Sequence, residues 1–89
     1  MSQIVECGTP INLSATGAIS LRAGNLLGFY VNSTSAGTLI LKDGGTGGTA
    51  VSGTITPAIG FHRFPCYFRT SAHATIANTL DVTFFWAAG

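Results

Sequence analysis

The chain has 89 residues, room for one small domain, with 46% apolar residues, 8% charged residues and a formal net charge of +1. Ordinary soluble domains carry about 25% charged residues, and four Lys/Arg are too few for the basic patch of a nucleic-acid binder. Many aromatics with few charges also exclude a disordered tail.

Residues 1–17 read as an extended N-terminal arm, punctuated by Gly8, Pro10 and Gly17, with weak strand character at 11–13. The start has neither the basic nor the apolar region of a secretory signal, and no apolar run approaches the ~20 residues that cross a bilayer. The chain is thus expected to work without export and without a membrane. From residue 18 onward no segment keeps a 3.6-residue apolar period for two turns; alternation with period two recurs instead. A weak strand is expected at 18–22. At 26–33 the pattern sets Leu27, Phe29 and Val31 on one face and Gly28, Tyr30 and Asn32 on the other. Next, 38–42 places Leu39 and Leu41 together, and Ser33-Thr34-Ser35-Ala36-Gly37 between them predicts a hairpin whose glycine takes φ > 0.

The Gly-rich run Asp43-Gly44-Gly45-Thr46-Gly47-Gly48-Thr49 reads as a long hairpin loop. It lacks the Lys-Ser/Thr and helix of a phosphate-binding loop and the carboxylates of a calcium loop. Alternation returns at 51–56, with Val51 and Ile55 on one side. Residues 61–64 and 66–69 are expected to be two strands broken at Pro65, with Phe61, Phe64 and one of Tyr67/Phe68 in the core. A weak strand at 74–77, the turn Ala77-Asn78-Thr79 and a final strand at 80–86 complete the chain. In that last strand Leu80, Val82, Phe84 and Trp86 face inward, and Asp81, Thr83 and Phe85 outward. Seven to eight short strands with such punctuation point to a compact antiparallel β-sandwich of jelly-roll type over residues 18–89.

Chemistry is sparse. Cys7, His62, Cys66 and His73 lack the paired spacings of a zinc site. Two distant cysteines in so small a chain read as free thiols, with a Cys7–Cys66 bridge left open. No G-x-S-x-G elbow supports a Ser-His-Asp arrangement, and the three carboxylates, Glu6, Asp43 and Asp81, offer no evident catalytic pair. No enzyme and no cofactor are expected. His73 reads as a solvent or interface histidine. In Phe61-His62-Arg63-Phe64-Pro65-Cys66-Tyr67-Phe68-Arg69, Tyr67, His62 and Arg63 could stack on a sugar. The structural alternative sets Arg63 and Arg69 at a subunit contact, where a planar guanidinium suits an interface.

The outward positions themselves carry Tyr30, Ile40, Phe85 and Phe68, with seven charged residues in the whole chain to keep them soluble. Edge strands add exposed hydrogen-bonding groups that Lys or Pro normally blunts. An obligate homo-oligomer, or a domain clamped to a larger assembly, is therefore expected.

The stretch Gly24-Asn25-Leu26-Leu27-Gly28-Phe29-Tyr30-Val31-Asn32-Ser33, then Ser35-Ala36-Gly37-Thr38-Leu39-Ile40-Leu41-Lys42-Asp43-Gly44 and the ending Asp81-Val82-Thr83-Phe84-Phe85-Trp86-Ala87 resemble small all-β structural proteins of tailed bacteriophages. The resemblance is one of texture, Gly/Thr-rich and charge-poor. It implies a virion component, foremost a capsid decoration or cement subunit, a trimer that also binds a larger capsid or virion protein and touches neither nucleic acid nor membrane. It further implies an arm that lies on a neighbouring subunit. The contact residues expected are Ile4, Val5, Pro10 and Ile11 in the arm, with Tyr30, Ile40, Arg63, Arg69 and Phe85 on the body. A small tail or neck component, or a carbohydrate-binding module, is the alternative.

Overall fold

The computed structural model describes residues 8–45 and 47–88. The chain is all-β, a six-stranded antiparallel sheet: β1 (Thr9–Leu13), β2 (Gly17–Ser20), β3 (Gly24–Asp43), β4 (Thr49–Ala50), β5 (Gly60–Phe68) and β6 (Ala72–Ala88). Two strands dominate. β3 and β6 pair from Gly24↔Ala88 to Asp43↔Ala72, and each short strand pairs with only one of them.

The hairpin expected between 26–33 and 38–42 does not form. Residues 33–37 instead lie inside β3, paired with Thr79, Leu80 and Asp81 of β6. The turn signals are nevertheless bends. A 20-residue strand drawn straight at about 3.3 Å per residue would run ~66 Å, yet the longest dimension of the molecule is 44 Å. Both ends of β3 also come together: Gly24 pairs with Phe68 and Asp43 with Ala72, and four residues of chain reach at most about 14 Å. The β3–β6 ribbon is therefore doubled back on itself.

The bend has identifiable causes. Register shifts fall between Val31 and Ser33 and between Ser35 and Ala36, and such bulges raise twist and curvature. Ala36 (φ 55°) and Asn78 (φ 62°) are left-handed on facing strands, and Asn78 Nδ2 donates to Ala36 O at 2.9 Å. Gly37 N–H donates to Thr34 Oγ1 at 3.1 Å. A Cβ on Gly37 would fall onto Thr79 O and within 2.6 Å of Leu80 Cβ, so the strands cross too closely here for a side chain.

Doubling makes two leaves. In the first, residues 24–33 of β3 and 80–88 of β6 are flanked by β5 and β1; in the second, residues 38–43 and 72–77 are flanked by β4 and β2. Their apolar residues form one core. Leu26, Phe29, Val31, Phe68, Leu80, Val82, Phe84 and Trp86 of the first leaf meet Ile19, Leu39, Leu41, Ala72 and Ala74 of the second. Phe29 packs on Phe84 (centroids 5.9 Å) and Phe68 on Trp86 (5.7 Å). Each such side chain adds about 1.5–3 kcal/mol when fully buried.

The alternation expected for 80–86 holds. At 26–33 a bulge between Leu26 and Gly28 buries Leu26 and leaves Leu27 half-buried. Of the pair Tyr67/Phe68, Phe68 is the one in the core, fully buried, which removes it from the outward set, whereas Phe61, expected inside, is 57% exposed. β5 is one strand through Pro65, because an edge strand beside a bulge tolerates a missing N–H. Residues 51–56 form no strand; Ile55 makes a single bridge to Leu39. His73 lies in β6 and is buried, since the chain around it pairs on both sides. Asp43 and Thr49 pair as the last residue of β3 and the first of β4, as the ends of a hairpin do, and Gly44 and Gly45 after Asp43 take positive φ. From Thr9 the expected arm is a sheet strand on its own chain.

Asp43 fastens the open end of the ribbon. Its carboxylate accepts N–H groups of Arg69 (2.8 Å), Thr70 (2.9 Å) and Ser71 (3.3 Å), the turn joining the leaves. The Arg69 and Thr70 N–H groups foremost hold its carboxyl below the usual range. A depressed carboxylate contributes stability above its unfolded value, about 3.9, and loses it as pH falls through the folded value. Asp43→Asn is thus expected to lower the melting temperature at pH 7 and to flatten its decline below about pH 4, checked by thermal denaturation against pH. Gly37→Ala is expected to destabilise by about 2–3 kcal/mol, measured by urea denaturation.

Candidate protein interface

One face of the first leaf is built unlike the rest of the surface. Along β5, Phe61, Arg63, Pro65 and Tyr67 point outward and alternate with His62, Phe64, Cys66 and Phe68. The register lays two rows across the four strands. Phe61, Tyr30, Thr83 and Asn12 form one; Arg63, Gly28, Phe85 and Pro10 form the next. Tyr30, Phe61 and Tyr67 are 43%, 57% and 56% exposed.

Gly28 makes this face flat. A Cβ there would meet His62 O at 2.6 Å and Phe61 Cζ at 3.0 Å; with no side chain in the way, the Phe61 ring leans over Gly28 to within 6.1 Å of Phe85. Beside the rings stands a polar group. Asn12 Nδ2 donates to Asp81 Oδ1 (2.7 Å) and Thr83 Oγ1 (3.2 Å), and Asn32 Nδ2 to the same two atoms (3.3 and 3.0 Å). An aromatic centre edged by oriented polar side chains matches the anatomy of a protein contact.

Of the contact residues expected from sequence, Pro10, Tyr30, Arg63 and Phe85 come together on this face. Ile11 is half-buried against its own core. Ile40 is half-buried in the second leaf, alternating with the core residues Leu39 and Leu41. Arg69 is exposed beyond the end of β5, its N–H on Asp43. Ile4 and Val5 lie outside the described residues, as does Cys7 and with it the Cys7–Cys66 question. Sequence reasoning missed Phe61, Asn12, Asn32, Asp81 and Thr83 as members; the Phe61/Phe85 spacing has no signal in one strand alone.

The sugar-stacking trio is split. Arg63 and Tyr67 face out, but His62 is turned the other way, its ring 5.2 Å from Phe29 and its Nε2 2.7 Å from Ala58 O. Burial first, then the charge of Asp43, pushes the Cys66 thiol above its ordinary value, so it is held away from the reactive thiolate. Among the described residues no three His, Cys, Asp or Glu side chains gather as a metal site, and no helix is long and apolar enough to cross a membrane.

Edges do not explain the exposed surface. Two of the three prolines, Pro10 and Pro65, sit in β1 and β5, the edge strands of this leaf, where prolines are tolerated and common.

Compared with known proteins, the chain matches no family model, no curated protein and no solved structure. What defines it is an all-β ribbon, folded double, that displays an aromatic face. Because Tyr30 and Tyr67 lie outside the chain's own core, Tyr30→Ser and Tyr67→Ser are expected to change the unfolding free energy of the monomeric chain, at dilutions where any association is lost, by less than about 1 kcal/mol. Phe29→Ala is expected to cost about 3–5 kcal/mol; urea denaturation of the three variants checks the contrast.

Proposed function

We propose that this chain is a structural subunit of a virion, a capsid decoration or cement protein that self-associates and fastens to a larger capsid protein. The observation that carries the reading is the aromatic face: Tyr30, Phe61 and Tyr67 exposed on a body with seven charged residues in all. Contiguous apolar patches of a few hundred Å² on small proteins mark interaction sites, and this one is edged by polar groups in the manner of a contact. The resemblance to small phage structural proteins supports the same reading. In it, the two leaves are the layers of a small β-sandwich, and binding rather than catalysis is the role. The chain is made in the host cytoplasm and used on the particle.

A tail or neck component would place the same demands on the surface, and location on the particle separates the two. The expected result is that mass spectrometry finds the chain in purified particles and in their empty heads. It should stay through high-salt washing, because a contact with few charges is little screened, and leave when heads are disrupted. Recovery with detached tails would move the assignment there; absence from particles would end it.

A further inference from the structure

The polar and charged residues of the aromatic face have an arrangement that says what covers it. Tyr30 pairs with Phe61 of β5 on one side and Thr83 of β6 on the other. Two residues beyond Phe61, toward Gly28, stands Arg63; two residues beyond Thr83, toward Ser33, stands Asp81. In the register of the sheet Tyr30 is therefore the midpoint between Arg63 and Asp81, with each one strand and two residues away in opposite directions.

We propose that this face pairs with a second copy of the chain about a twofold axis at Tyr30. An axis lying in the contact plane through that point, perpendicular to the Arg63–Asp81 line, sets each Arg63 over the other copy's Asp81, twice. It also stacks Tyr30 on its own counterpart. Twofold contacts use one self-complementary patch on both subunits, and this patch has that property in its charges. Asp81 is prepared for the role: Asn12 and Asn32 both donate to Oδ1 and fix the carboxylate in place. Tyr and Arg are the residues that dominate binding energy at contact centres.

Area agrees. Four strands about 4.8 Å apart and some seven residues long span about 19 by 23 Å, ~440 Å² in projection for each copy. Side-chain relief raises the accessible area, which brings the pair to on the order of 1,000 Å², the floor for a specific contact. The inference rests on the assembly reading only in requiring self-association, and it replaces the threefold arrangement implied by the phage resemblance with an even-numbered one.

The test is sedimentation equilibrium of the full chain and its charge variants, with circular dichroism confirming the folded sheet. The wild type is expected at twice its 9.1 kDa mass. Arg63→Asp and Asp81→Arg are each expected to weaken the dimer by about 100-fold. The double exchange restores it, and an equimolar mixture of the two single variants pairs as a heterodimer. Tyr30→Glu, which leaves the Asn12–Asp81 group in place, gives a monomer even if Asp81→Arg does not fold. Dimers that survive Arg63→Asp and Tyr30→Glu overturn this face while leaving self-association, through another surface, in force. A trimer overturns the twofold axis. A monomeric wild type overturns the pairing, and particle analysis then decides the virion assignment separately.

Discussion

Everything in this molecule depends on the doubling of the β3–β6 ribbon. A two-stranded ribbon is marginal in water because only one face can be made apolar and nothing covers it. Folding the ribbon lets Phe29, Val31, Phe84 and Val82 of one leaf share a core with Leu39, Leu41 and Ala74 of the other. Four short strands then extend the leaves by one strand on each side. The bend is held where it forms by Ala36, Gly37 and Asn78, and at the open end by the carboxylate of Asp43 on three backbone N–H groups.

That architecture also creates the outward face. Once the odd positions of β5 and their neighbours on β3 and β6 are excluded from the core, Phe61, Tyr30 and Phe85 share one outward face, where the Phe61 and Phe85 rings meet beside Gly28. The same alternation turns His62 and Phe68 toward the interior. The chain has few charged side chains with which to solvate such a surface. The proposed roles, as a virion subunit and as a face-paired dimer, would each cover it.

The edge strands carry a second lesson. Lys and Pro are the usual guards of an exposed sheet edge, and this chain has three prolines and one lysine. Pro10 and Pro65 each fall in one of the two edge strands of the leaf that bears the aromatic face. What a proline does for an edge depends on its position rather than on the number of prolines.

Composition and alternation alone established an all-β chain, the inward set Leu80, Val82, Phe84 and Trp86, the glycine hairpin loop, and Tyr30, Arg63 and Phe85 as surface residues. Those are local properties: side chains in a strand alternate whatever the strand pairs with. Serine-rich and asparagine-containing runs at 33–37 and 77–79 were likewise legible as places where the chain changes direction. Whether each run closes a hairpin or bends a ribbon depends on what lies across from it, and here the two runs lie across from each other. The Leu26/Gly28 bulge, the burial of Phe68 and the gathering of Asn12, Asn32, Asp81 and Thr83 were likewise left to the assembled sheet. Each is a relation between residues distant in the chain, fixed by register, and register is set by how all the strands pack together.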